Sequence, residues 1–90
     1  MSTSKIALNE IQNQLKNMAE NIIFKEKIER QNILTTMNTL VHQLTADQLI
    51  SVINSINSPV ALKFMIPAGT FGEARNVLFA RIAALQPKKG

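Results

Sequence analysis

At 90 residues the chain holds one domain at most, and its core must come from a 46% apolar content with only four aromatic residues, all Phe. It has no cysteine and a single histidine, His42, which excludes disulfide staples, thiolate metal sites and a multi-histidine zinc site. The net charge of +4 is unevenly placed: residues 1–43 carry five basic and four acidic groups, whereas Lys63, Arg75, Arg81, Lys88 and Lys89 face Glu73 alone over residues 60–90.

The first residues, Met1 to Lys5, lack a basic region followed by a continuous apolar core and a small-residue cleavage site. No stretch approaches the roughly 20 apolar residues that span a bilayer, so the expectation is a cytoplasmic protein with no membrane partner.

From Lys5 to about Leu44 the sequence contains neither Gly nor Pro, and apolar residues recur three and four apart. Leu8, Ile11, Leu15, Met18 and Ile22 form one stripe, and Ile33, Met37, Leu40 and Leu44 form another. The step from Ile22 to Ile33 is eleven residues, which returns to nearly the same helix face. Lys25, Glu26, Glu29 and Arg30 fill the middle and offer opposite-charge pairs at a spacing of four. Two readings compete there: one long, continuous or slightly bent helix, or a turn near residues 25–31 that makes two antiparallel helices. The charged section has no strong turn signal, which favours the continuous helix.

Thr45-Ala46-Asp47-Gln48 predicts a capping box, in which Thr45 caps the helix start and Gln48 reaches back. Leu49, Val52, Ile53 and Ile56 then mark a short amphipathic helix that ends at Asn57-Ser58-Pro59. Val60 to Ile66 is apolar and bounded by Pro59 and Pro67, and is read as either a short extended segment or a turn of helix. Residues 68–72 form a glycine-containing corner. A last helix starts near Gly72 or Glu73 and runs to Leu85, with Ala74, Val77, Leu78, Ile82 and Leu85 on its apolar face and Arg75 and Arg81 on more exposed turns. Pro87 to Gly90 reads as a basic tail.

The fold expected is mainly α: a long amphipathic helix followed by two shorter ones, in a single oligomerisation domain over residues 1–86. A core of Ile, Leu, Val and Met is most easily completed by pairing long helices or dimerising, so a homo-oligomer, with a dimer favoured, is expected. The stripe Leu8, Ile11, Leu15, Met18, Ile22, Ile33, Met37 and Leu40 is its predicted interface, in an intertwined or packed dimer.

Candidate chemistry is sparse. Glu26 and Glu29 read as a charged helix surface, and His42 as an interface residue or a charge partner at a helix C-terminus. Gly69-Thr70-Phe71-Gly72 precedes a helix but lacks the spacing of a phosphate-binding loop and the following Lys-Ser/Thr, so it reads as a turn. Phe64 and Phe71 could be aromatic contacts to a partner or to exposed bases, but core packing is the favoured reading. No catalytic residue, metal ligand or cofactor is assigned, which points to binding and not catalysis.

The run Leu44-Thr45-Ala46-Asp47-Gln48-Leu49-Ile50-Ser51-Val52-Ile53-Asn54-Ser55-Ile56-Asn57 resembles the middle of the D subunit of the bacterial flagellar master transcription regulator. That family places a similar Leu-Thr-x-x-Gln-apolar helix, closed by a polar Ser/Thr-Asn pair, after a long amphipathic region. The likeness spans residues 8–66 and is motif-like over 44–57. It implies a helical dimer that joins a second regulatory protein and contacts promoter DNA. The dimerisation surface would lie along Leu8–Leu40, and Arg75 and Arg81 would face DNA or the partner. This chain is shorter before Leu44, has no cysteine after the capped helix, and differs over 66–90, which leaves promoter recognition and the partner open.

The leading expectation is therefore a small oligomeric transcription or DNA-associated regulator, whose DNA- or partner-binding candidates are Lys63, Arg75, Arg81, Lys88 and Lys89. Duplex DNA and a second regulatory protein are its expected partners. A helix–turn–helix is disfavoured by the long interval from Asn57 to Gly72. The alternative is a protein-binding adaptor or inhibitor of phage or plasmid origin without direct DNA contact.

Overall fold

The computed structural model describes the backbone of residues 2–86 and the side chains of residues 7–86. The fold is mainly α, as expected. In chain order the helices are α1 (Ser2–Asn21), α2 (Lys27–His42), α3 (Ala46–Ser55), α4 (Pro59–Phe64) and α5 (Gly72–Leu85). A single 3-10 turn, Ile22–Phe24, extends α1.

The favoured continuous first helix does not form. The helix tightens into the 3-10 turn, then leaves helical geometry at Lys25 (φ −102°, ψ 155°) and Glu26 (φ −72°, ψ 164°). Glu26 starts α2 without a side-chain cap. Instead the Lys25 N–H donates to the Ile22 carbonyl at 3.1 Å, and Arg30 Nη2 donates to the Ile23 carbonyl, also at 3.1 Å. The physical reason for the break is tertiary. In a straight helix both apolar stripes would lie on one face with nothing from the same chain above them. After the break, α2 packs against α1, and Leu15, Ala19 and Ile22 join Met37, Leu40 and Val41 in one core.

That packing takes up, within one chain, the stripe predicted as an oligomer interface. Leu15, Ile22, Met37 and Leu40 are buried inside a single chain. Leu8, Ile11, Met18 and Ile33 are partly buried and pack against the same core. The stripe read as a surface for a second subunit is covered by the chain's own α2, α3 and α4.

The capping box forms as predicted. Thr45 Oγ1 accepts from the Gln48 N–H at 3.3 Å, and Gln48 Oε1 accepts from the Thr45 N–H at 2.8 Å. Gln12 on α1 donates to the Gln48 carbonyl at 3.1 Å and ties this helix start to α1. Leu49, Val52 and Ile53 are buried, and the C-cap residue Ile56 is fully buried after them.

Of the two readings left open for residues 60–66, the helical one is observed. Ser58 caps α4 by accepting from the Ala61 N–H at 3.2 Å, and Pro59 takes the first helical position, where its missing N–H costs nothing. One Asn-Ser-Pro sequence thus separates α3 from α4. The architecture therefore has three helices after the break at Lys25–Glu26 beyond α2, where two short ones were expected.

The corner after α4 is a Schellman motif. The Thr70 N–H donates to the Met65 carbonyl at 3.2 Å and the Gly69 N–H to the Ile66 carbonyl at 3.0 Å, with Gly69 at φ +100°. Thr70 and Met65, the two residues that the motif's longer hydrogen bond joins, are both buried. Asn38 on α2 donates from Nδ2 to the Ala68 carbonyl at 2.9 Å and holds the corner to α2.

Two stability predictions follow from this corner. A Cβ on Gly69 would sit 2.6 Å from Asn38 Nδ2 in a left-handed backbone, whereas one on Gly72 (φ +62°) meets nothing within 4 Å. Gly69→Ala should cost about 2 kcal/mol or more and Gly72→Ala about 1 kcal/mol, read by denaturant unfolding; equal losses would refute the packing account. Thr70 Oγ1 is buried without a hydrogen-bond partner. Thr70→Val should therefore raise stability by about 1 kcal/mol, because the desolvated hydroxyl is replaced by a methyl group of similar shape.

Candidate binding surface

Helix α5 packs its Ala74, Leu78 and Ile82 face into the core, against α3 and α4. That register leaves Arg75 and Phe79 on the outside, four residues apart on one helix face, with Phe71 exposed at the N-cap before them. Phe71 is 44% exposed and Phe79 45%. The Arg75 guanidinium lies over the Phe79 ring, 5.5 Å from its centroid. The His42 ring stacks on Phe71 at 5.7 Å with 25° between the planes. The result is an aromatic and cationic row with the C-terminal end of α2 beside it.

His42 is the last residue of α2, and its Nδ1 lies 2.8 Å from the Asn38 carbonyl. A carbonyl only accepts, so Nδ1 carries the hydrogen and Nε2 is the nitrogen left for other contacts in the neutral ring. This locked orientation serves the stack on Phe71. Phe71 was assigned to the core from sequence and is instead half exposed; it sits at the N-cap of α5 with φ −133°, outside the helix proper. Phe64 is half-buried and packs against the core, as read from sequence.

Of the five basic candidates, the three that are described, Lys63, Arg75 and Arg81, are differently placed. Lys63 is exposed in the last turn of α4, and Arg75 is exposed on the outer row of α5. Arg81 is six residues beyond Arg75, well round the helix at about 100° per residue. Its Nη2 reaches the end of α3, 2.8 Å from Asn57 Oδ1, 3.3 Å from the Ile56 carbonyl and 3.4 Å from the Asn54 carbonyl. A cation placed there meets the negative end of the α3 dipole and satisfies carbonyls that the helix leaves unpaired. Arg81 is therefore a clasp between α5 and α3, not an outward contact. Lys88 and Lys89 lie outside the described residues, as does the tail to which they belong.

A shallow cleft between α1 and α3 is lined by Gln12, Asn13, Lys16, Ser51, Val52 and Ser55. Its lining offers one charged group and no carboxylate or imidazole to move a proton. Among the described residues no group of three or more His, Asp or Glu side chains is placed to hold a metal ion. No described helix is long and apolar enough to cross a membrane.

Compared with protein-family models, with curated proteins and with solved structures, the chain finds no match. The arrangement of its own side chains carries the functional argument.

The clasp makes a direct prediction. Arg81→Ala should lower unfolding free energy by about 1 kcal/mol, since it uncovers the C-terminal carbonyls of α3, and Arg81→Lys should recover part of the loss. Unchanged stability in Arg81→Ala would mean that the guanidinium is free to face outward.

Proposed function

We propose that this chain is a small oligomeric regulator, associated with transcription or DNA, that acts by binding a protein partner and performs no catalysis. The observation that carries the reading is the exposed row Phe71, Arg75 and Phe79 on α5, with His42 stacked at one end. Aromatic side chains and Arg are the types enriched at binding hot spots, because they bury large areas while keeping a polar or cationic handle. Holding Arg75 over Phe79 and His42 against Phe71 reduces the side-chain freedom that a partner would otherwise have to remove.

The regulatory assignment is supported by the resemblance of residues 44–57 to the D subunit of the flagellar master regulator, a family that works beside a second regulatory protein. Duplex DNA is the second reading, favoured by the net charge of +4. With Arg81 engaged on α3, the described cations left to meet phosphates on this side are Lys63 and Arg75. Contact with DNA on that basis is sequence-independent and steeply salt-dependent.

The test places a photo-crosslinking phenylalanine analogue at position 79 in cells, with Phe71→Ala and Arg75→Gln as companion changes. A protein crosslink that is lost in Phe71→Ala and only weakened in Arg75→Gln is expected. For purified protein on generic duplex DNA, binding should be weak at physiological salt, with Arg75→Gln lowering the slope of log affinity against log salt by about 1. A crosslink to nucleic acid alone would replace the protein-led reading with the DNA-led one.

A further inference from the structure

The corner between α1 and α2 carries the two most exposed large apolar side chains among the described residues, with a third beside them. Phe24 is 79% exposed, Ile28 75% and Ile23 42%, and all three flank the break at Lys25–Glu26. Neither helix propensity nor the core accounts for them, since the side chain that the 3-10 turn buries is Ile22. The corner is also held in shape: Arg30 Nη2 and the Lys25 N–H donate to the two carbonyls of Ile23 and Ile22, each at 3.1 Å. Three large apolar side chains on a braced turn form a knuckle that loses little freedom when it is covered.

We propose that this knuckle is the surface through which two copies of the chain associate, each inserting Phe24 and Ile28 against the other around a two-fold axis. The choice of a second copy rests on the charges. The exposed residues Lys25, Glu26, Lys27 and Glu29 alternate in sign around the apolar side chains, with Arg30 behind them. An interleaved pattern of both signs is complementary to itself when a two-fold axis brings each cation of one copy toward a carboxylate of the other. The same pattern opposes a phosphate backbone or an anionic lipid surface, because Glu26 and Glu29 stand beside every cation that would make the contact. The inference rests on the oligomeric part of the function proposed above and not on its partner: the Phe71–Arg75–Phe79 row lies on α5 and is left unchanged in every variant below.

The experiment is light scattering of the full chain from about 1 μM to about 1 mM, with helicity and melting temperature recorded alongside. Wild type should pass from one chain to two across this range. Phe24→Ser/Ile28→Ser should keep the helicity and melting temperature of dilute wild type, because both side chains are exposed, and weaken association at least tenfold. Lys25→Glu/Lys27→Glu should also be one chain, since two acidic knuckles repel. Mixed with Glu26→Lys/Glu29→Lys, it should form pairs of unlike chains.

A wild type of single-chain mass throughout would overturn both this inference and the oligomeric part of the proposed function. A wild-type pair unaffected by Phe24→Ser/Ile28→Ser would overturn the inference alone. Binding of wild type to vesicles of anionic phospholipid, lost in Phe24→Ser/Ile28→Ser and unaccompanied by pairing in solution, would reassign the knuckle to a lipid surface.

Discussion

The departure from helical geometry at Lys25 and Glu26 decides how the rest of the molecule is covered. An aliphatic stripe on a 20-residue helix needs a facing surface, because each exposed Leu or Ile forgoes roughly 1.5–3 kcal/mol of burial. By ending α1 there, the chain brings a second apolar helix of its own onto the first. Leu15, Ala19 and Ile22 then share one interior with Met37, Leu40 and Val41. The break leaves Phe24 and Ile28 outside that interior, so the same event that closes the core creates the apolar corner.

The later helices are joined by short polar devices more than by long loops. Thr45 and Gln48 start α3, Ser58 and Pro59 start α4, and a left-handed Gly69 turns the chain toward α5. Contacts between helices reinforce these local choices. Gln12 reaches the first turn of α3, Asn38 reaches the corner at Ala68, and Arg81 reaches the end of α3. Each uses a long or amide side chain to reach a backbone carbonyl of another element; Asn38 and Arg81 meet carbonyls at a turn and a helix end, and Gln12 adds a second donor to a carbonyl inside the first turn of α3.

The aromatic residues divide along the same lines. Phe64 joins the margin of the core, and the other three Phe side chains are exposed by 44% or more. Phe79 lies on α5 under Arg75, Phe71 stands at the N-cap of α5 against His42, and Phe24 stands at the α1–α2 corner. A domain built almost wholly from aliphatic packing thus spends its aromatic area at the surface, where ring faces and cations favour binding over stability.

Local sequence determined a good deal. The capping box at Thr45–Gln48, the limits of α5 and the mainly α class are written in residue types whose effect is confined to one or two turns. The Asn-Ser-Pro boundary was legible too, although its second role as the start of α4 lay in the same three residues and was read only as an ending. Tertiary structure decided three things that no local pattern carried. It broke the first helix in a charged stretch with no Gly or Pro, because covering two stripes outweighs the cost of a few extended residues. It turned Arg81 inward to the end of α3 while leaving Arg75 outward, since six residues on a helix separate two side chains widely in angle. And it brought His42 onto Phe71 across 29 residues of chain, a contact that arises because the Gly69 corner is held against the C-terminal part of α2. Caps and helix faces follow from neighbouring residues; the choice of which face meets which depends on burying the most apolar area in a single chain.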